Sequence, residues 1–526
     1  MSDSSNKFEN NSSKPLVSVL VSTFNRPGYL CQALSSVLNQ NYKNLQIIVI
    51  NDGGEEVGGI INSLNDVRLK YIDRKENRGK AFSINQALEQ AEGKYIAYLD
   101  DDDLYYPDHI ETLVNVLENE TDCQVAYTDL YKAYCKVFPD GKRQVLSKVV
   151  EVSRDFDRFL MLYFNHVLHV SLMHQRDLIE KTGPYNENLS VLIDWDMTRR
   201  LAFFSDFYHI CSVTGEYYHP MGDCDRISVQ QRKNKKEYHR NVLTIRTTRP
   251  DKPWPKIQDM SIIFVTDEFN KEAGKKICSI WQNTFYPYKL YLPISESDLN
   301  RINTDMPNLV FVPVDPSFSK AERIDAAIKN CDGHYIAIVP DSLKIEEMWV
   351  EKSLYALINC SIDRQAFLLA ESDNENLAVI IKKENIEYAR KSFPHLNLPE
   401  SLKAAGISLR MPDYEEYPFQ FDNILHQAMS EEKNGNWLQA AEMYMYLAEN
   451  HMNQLWMKRF AAKALFKAGK HNMAASIFDE INQQRPTAET LLLEAKFRRE
   501  EKKYNSAIEL LHEAEKTIQG KEFVWI

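Results

Sequence analysis

The sequence predicts an α/β chain: two consecutive α/β units, each built on a parallel sheet, followed by an all-α segment of helical repeats. Three observations carry this. From residue 15 onward, apolar β-branched runs alternate with segments of helical spacing. After a stretch rich in proline and charge (246–256) the alternation restarts, and residues 321–340 align with 81–100 at a constant offset of 240, identical at seven positions. In the last hundred residues the composition turns to Ala, Glu and Lys, and three similar segments recur at spacings of 34 and 33.

The elements follow in order. LVSVLVS (16–22) is apolar throughout, as a strand buried on both faces requires. The loop TFNRPG leads into a helix over 29–40, whose apolar positions Leu30, Ala33, Leu34, Val37 and Leu38 share one face. LQIIVI (45–50) is the second buried strand and ends in the turn NDGG; VRLKYID (67–73) is the third. A helix over 82–91 follows, with Gly93 expected to cap its end. KYIAYL (94–99) is the next strand and runs straight into four aspartates. In parallel sheets ligands sit beyond the carboxyl ends of the strands, so TFNR, NDGG and DDDD should line one cleft.

Composition narrows the function. Sixty-three basic and 75 acidic residues give a net charge of −12, which argues against a nucleic-acid-binding chain. The eight cysteines form no CxxC pair and read as reduced thiols of a cytoplasmic protein. No apolar run reaches transmembrane length, and residues 1–14 read as a polar, disordered tail.

The aspartates pose the chemical question, because four adjacent carboxylates repel one another. Alternate side chains of an extended chain point the same way, so Asp100 and Asp102 share a side. Two such carboxylates suit a hard divalent cation, Mg2+ or Mn2+, whose shell is completed by water and phosphate oxygens. An aspartate in this setting can also cap a helix, and Asp103 is expected to do so.

Five motifs in order, VSVLVSTFNRPGYLCQALSSVLNQNY, NDGG, NRGKA, GKYIAYLDDDD and GPYNENLSVLIDWDMTRRL, resemble those of family 2 glycosyltransferases of the GT-A fold, over roughly residues 15–230. The resemblance implies that Thr23, Asn25 and Arg26 line a nucleotide pocket and that Asp52 hydrogen-bonds the base. It implies that Arg78 and Lys80 face the diphosphate. Asp100 would touch the ribose, Asp102 would meet the metal, and Asp101 would occupy the tetrad's variable position. The family's catalytic base falls on Asp194 of LIDWDMTRR, with Ile193 where a glutamate is usual; Asp196 is the runner-up, and Arg200 matches a helix arginine of the pattern. His219 of EYYHPMGD is a further candidate metal ligand, ahead of Asp223 and Asp225. The three histidines of NHVLHVSLMHQRD read as pocket wall or sheet edge.

The expected organisation is a tail (1–14), a GT-A catalytic domain (15–250), a degenerate GT-A-like copy (256–418) and helical repeats (420–526). In the second copy Asp100 is matched by Pro340 and Asp102 by Ser342; only Asp341 remains, opposite Asp101. The segments opening at Trp437, His471 and Tyr504, each with an alanine three residues on (Ala440, Ala474, Ala507), resemble tetratricopeptide repeats, and Pro486 would close the middle unit. The expected activity is metal-dependent, inverting transfer of a sugar from a nucleotide-sugar donor, a UDP-sugar first, to a protein or glycan acceptor. The repeats would hold a protein partner, which could also bring the chain to a membrane. Two alternatives compete. A non-catalytic scaffold has no need of Asp52, Asp100, Asp102 and Asp194 together. A sugar-nucleotide pyrophosphorylase would want a glycine-rich basic loop that TFNRPG does not supply.

Overall fold

The computed structural model describes residues 14–120, 122–138, 141–150, 153–221, 234–299, 306, 308–370, 377–412, 420–450, 455–484 and 488–518. Residues 1–13 of the expected tail, and Asp223, Asp225 and Pro486, lie outside them.

The first sheet begins as the apolar runs dictate. Strands β1 (Val17–Thr23), β2 (Leu45–Asn51), β3 (Leu69–Asp73) and β4 (Tyr95–Asp100) pair in parallel in the order β3-β2-β1-β4. Helices α1 (Pro27–Leu38) and α3 (Lys80–Glu89) connect them, and Pro27 starts α1 where its missing N–H costs nothing. A short helix α2 (Gly58–Leu64) between β2 and β3 was not legible in the sequence. Gly93 does not cap α3, which ends on Gln90. Instead a Cβ at Gly93 would stand 2.5 Å from the Ser18 backbone nitrogen, and the Gly93 N–H donates to Ser18 Oγ at 2.9 Å. The glycine is there for close approach to β1.

The expectation of an all-parallel sheet fails past β4. The sheet continues through β8 (Leu172–Gln175), β6 (Cys123–Val137), β9 (Asp206–Pro220) and β5 (Leu104–Tyr105), with β7 (Arg143–Val149) paired to β6. β8 runs antiparallel to both neighbours, while β6 and β9 are parallel to each other. Because β8 lies between β4 and β6, the histidines around it are not at an edge. His174 Nε2 meets the Tyr98 hydroxyl at 2.7 Å, His169 stacks on Tyr98, and burial pushes both rings down, to about 4 and about 3. They are neutral core residues.

A second, seven-stranded sheet opens with β10 (Met260–Val265), β11 (Tyr288–Ile294), β12 (Leu309–Pro313) and β13 (Tyr335–Pro340), in the parallel order β12-β11-β10-β13. It continues through β15 (Val379–Lys382), β14 (Gln365–Leu368) and β16 (Ser408–Arg410). Two contacts of the first sheet recur here. Gly333 N–H donates to Ser261 Oγ at 3.0 Å, as Gly93 does to Ser18. Thr266 Oγ1 donates to Asp341 Oδ2 at 2.9 Å, as Thr23 does to Asp101 at 2.8 Å.

Residues 246–256 are not a free tether. Arg199, fully buried, donates to the Arg246, Thr248 and Phe285 carbonyls, and Arg249 donates to the Tyr288 carbonyl. Rings from both units meet beside them: Phe159 packs against Phe285, Tyr286 and Tyr355.

Beyond residue 420 the described chain is helical. Trp437, His471 and Tyr504 each open a helix (Trp437–Asn450, His471–Gln484, Tyr504–Ile518), and Ala440, Ala474 and Ala507 are buried. The turn before each helix is the same. Gly435, Gly469 and Lys502 take φ of +81°, +75° and +63°. Each is followed by an N–H that closes a six-residue ring onto the preceding helix: Asn436 to Glu431 O, Lys470 to Leu465 O, Lys503 to Arg498 O. Lysine fills in the third turn the left-handed position that glycine fills in the others.

No helix among the described residues is long and apolar enough to cross a membrane.

Candidate active site

The three polar loops meet where β1, β2 and β4 end. Asn25 adopts φ +56°, a left-handed conformation that asparagine tolerates, and its Oδ1 accepts the Glu55 N–H at 2.9 Å. That contact ties the TFNR loop to the NDGG turn. Asp52 is buried, and its carboxylate accepts the N–H groups of Arg78 (2.9 Å) and Gly79 (2.8 Å) and pairs with Arg74 Nη1 (2.9 Å). Asp52 therefore anchors the NRGKA segment across the turn. The Arg78 guanidinium lies over the Phe82 ring, 3.4 Å from its centroid.

The aspartates divide by environment. Asp101 is buried at 5% exposure and faces Thr23 Oγ1 at 2.8 Å and Arg26 Nη1 at 3.2 Å. Burial and the neighbouring Asp102 push its carboxyl up to about 6, against the pull of Arg26. Arg26 also pairs with Asp102 at 3.0 Å. Asp100 pairs with Lys80 Nζ at 2.5 Å, both about a third exposed. Burial works against the Lys80 charge, but Asp100, helped by Asp194 and Asp102, outweighs it and raises the ammonium above the ordinary lysine value. Asp103 is not a helix cap, because α4 (His109–Asn119) starts after Asp108. Its Oδ1 accepts the Tyr218 N–H of β9 at 3.0 Å.

Asp100, Asp102 and Asp103 each offer an oxygen within 4.8 Å of the others. Hard oxygen donors at this density fit Mg2+ or Mn2+. His219 does not belong to this cluster: β9 pairs there with β6, His219 opposite Tyr134, and its ring meets Tyr134 edge-on at 5.3 Å.

Asp194 enters from the helix Ile193–Leu201. Leu192, which caps the helix start two residues before Asp194, has φ +63°, a conformation that costs an L-residue roughly 1–2 kcal/mol. Strain of this kind collects where geometry serves function. Asp194 Oδ2 accepts from Asn165 Nδ2 at 3.1 Å. Burial raises its pKa above the ordinary carboxylate value, Lys80 pulls it back, and Asp100 raises it further. Lys80 is thus the cation shared by Asp100 and Asp194. Asp196, by contrast, is fully buried and paired with Arg200 at 2.6 Å, and Arg200 also donates to the Thr182 and Gly183 carbonyls. Both hold the packing of that helix.

Sequence reasoning missed three contributors. Arg74 neutralises Asp52, and Asn165 orients Asp194. Arg143 of β7 donates to the Asp102 carbonyl at 2.6 Å and stacks on Tyr29 and Tyr218. Asn165 was visible within the histidine-rich segment, but nothing local marked it.

Known proteins resemble the region that carries these loops. Residues 18–174 match the glycosyl transferase family 2 model. An uncharacterized glycosyltransferase of Rickettsia typhi is 30% identical over 212 residues, 38% of this chain and 63% of that protein. One of Methanocaldococcus jannaschii is 30% identical over 190 residues, 35% of this chain and 63% of that protein. This chain thus spans under two thirds of these relatives. Among solved structures, Staphylococcus aureus TarS residues 1–349 in complex with UDP-GlcNAc aligns over 44% of this chain and 66% of that one, at 16% identity and a TM-score of 0.34. The acid loop, the NDGG turn and the first four strands accordingly lie in a glycosyl transferase family 2 domain, residues 18–174 of the chain.

Proposed function

We propose that the chain is a metal-dependent, inverting glycosyltransferase that moves a sugar from a nucleotide-diphosphate sugar, a UDP-sugar first, to a hydroxyl of a protein or glycan acceptor. The observation that carries this reading is the Asp100–Lys80–Asp194 arrangement beside the acid cluster, in a domain of the matching family. Asp52 uses three of the roughly four acceptor positions of a carboxylate on Arg74, Arg78 and Gly79, leaving one for a base N–H. Thr23, Asn25 and Arg26 shape the wall of that pocket, and Arg78 and Lys80 supply positive charge for the diphosphate.

Asp194 is the base. It takes the proton from the acceptor hydroxyl as that oxygen bonds to the anomeric carbon; the bond from that carbon to the diphosphate oxygen breaks, and the nucleoside diphosphate leaves with its electron pair. A single base suffices for this one displacement with inversion, whereas a retaining route through a covalent intermediate would need a nucleophile as well. A divalent cation held by Asp100 and Asp102, with Asp103 beside them, would stabilise the charge appearing on the leaving group.

The second unit is read as a duplicated copy that has lost this chemistry. Its support is the shared strand order and the recurring Ser–Gly and Thr–Asp contacts, without counterparts of Asp100 and Asp102. The boundaries proposed for the units are 15–250, 256–418 and 420–526. The C-terminal helices, with their identical turns, are read as tetratricopeptide-like repeats that hold a protein partner or acceptor.

A thermal-shift panel of nucleotide sugars, with and without Mn2+, tests the donor class. Binding to the native state alone stabilises by roughly 2.7 kcal/mol at a ligand concentration of about 100 Kd. A rise in Tm with a UDP-sugar that requires Mn2+ is expected; no shift with any nucleotide sugar contradicts the reading.

A further inference from the structure

Apart from the acid loop, one other group of potential metal ligands comes together among the described residues: Asp129, His209 and Cys211, whose donor atoms lie within 4.8 Å of one another. It plays no part in the transfer described above. β6 supplies Asp129, and β9 supplies His209 and Cys211. From Val125 the two strands run in register to Thr128 opposite Ile210, then resume at Asp129 opposite Val213, so β9 carries two extra residues there, Cys211 and Ser212. Such a bulge re-aims side chains, and here it brings a thiol toward the aspartate–histidine pair.

The hydrogen bonding poses a charge problem. His209 Nε2 lies 2.9 Å from Asp129 Oδ1 and Nδ1 lies 2.7 Å from Asp155 Oδ1. The imidazole and the Asp129 carboxylate are almost completely buried, at 3% and 2% exposure. A neutral imidazole carries one N–H and can satisfy only one of two carboxylates. The second contact requires another positive charge: a second proton on the ring, which the 2.9 Å spacing accommodates directly, or a metal ion that replaces that proton and draws the two ligand atoms slightly apart. The surroundings favour the metal. Cys211 Sγ sits on the Asp129 side, and Ser153 Oγ bridges toward it, 2.9 Å from Asp129 Oδ2 and 3.8 Å from Cys211 Sγ. A histidine held at Nδ1 by a carboxylate while Nε2 faces a mixed oxygen and sulfur donor set is the usual arrangement around zinc.

We propose that Asp129 Oδ1, His209 Nε2 and Cys211 Sγ bind a zinc-type divalent ion, with Asp155 orienting the imidazole. The ion would staple β6 to β9 and, through Asp155 and Ser153, fix the segment that precedes α5 (Arg158–Tyr163). Its donors are soft and borderline, unlike the all-oxygen acid loop, so the two sites would take different metals. The inference does not depend on the transferase reading.

Cobalt titration of the chelator-treated full-length chain tests it, since Co2+ bound to a thiolate absorbs in the near ultraviolet. The expected result is one equivalent giving a thiolate-to-cobalt band that Zn2+ abolishes. The band should be lost in Cys211→Ser and kept in Asp102→Asn. No thiolate band at saturating Co2+ in the unmodified chain would overturn the site and leave an imidazolium bridging two carboxylates. The same band persisting in Cys211→Ser would overturn it too, by assigning the signal to another cysteine such as the exposed Cys31 or Cys278.

Discussion

Asp194→Asn is expected to cut sugar transfer by about 10²–10⁴-fold, the usual contribution of a positioned general base, while leaving donor binding intact. The fold should tolerate the change, because the asparagine amide oxygen can still accept from Asn165. The sign of the stability effect follows from the raised pKa. A carboxyl whose folded pKa lies above its unfolded value favours folding below the unfolded pKa, and that benefit is lost as pH rises through the folded one. At neutral pH the buried carboxylate is therefore a cost, and Asp194→Asn removes it. Measuring transfer alongside denaturation separates a lost base from a lost fold. Full-rate transfer by a folded Asp194→Asn chain would exclude Asp194 as the base.

The same site fixes a pH dependence. Transfer needs Asp194 ionised, so kcat/KM should fall toward acid with a midpoint above the ordinary aspartate value of about 3.9. Lys80 stabilises the ionised form, so Lys80→Met should move that midpoint upward, whatever it does to the maximal rate. A midpoint unmoved by Lys80→Met would mean that the acid limb belongs to another group.

The second large effect contrasts the two copies. Asp102→Asn removes a charge from the acid cluster and should reduce transfer by at least about 10²-fold, the scale of losing one electrostatic stabiliser of a leaving group. Asp341→Asn should leave turnover unchanged. Asp341 occupies the place of Asp101, accepting from Thr266 as Asp101 accepts from Thr23, and an asparagine oxygen can keep that bond. Equal losses from both substitutions, in a direct comparison of turnover, would show that the assignment of the active copy is wrong. The recurrence also reinterprets Asp101. With the second unit read as the inactive copy proposed above, a Thr–Asp contact kept there belongs to the architecture of the strand end, in keeping with Asp101 being buried while Asp100 stays about a third exposed.

Legibility in the sequence tracked the range of the interactions. Strands β1, β2 and β4 were readable to within one residue because burial on both faces leaves unbroken apolar runs, whereas β3 is only partly buried. The long strands β6 and β9 were not, because their polar residues interrupt any single period and their pairing spans some eighty residues of chain. Gly93 shows the same limit: a glycine after a helix suggests a cap, and only the neighbouring strand shows that space was the requirement. The candidate acids were visible one by one. Their sorting into Asp101 within, Asp100 and Asp102 at the cleft, and Asp103 tied to Tyr218 depended on partners 20 to 115 residues away. Asn165 and Arg143 carried no local signal, since each gains meaning only from the aspartate it meets.

The central claim is that the carboxylates at the end of β4 bind a divalent cation together with a nucleoside diphosphate. Calorimetric titration of UDP into the full-length chain, with Mn2+ and then without, addresses it directly. Saturable binding that needs Mn2+ and disappears in Asp102→Asn is the predicted result. A folded chain that takes up neither Mn2+ nor UDP, or binds UDP equally well without the ion, would contradict it.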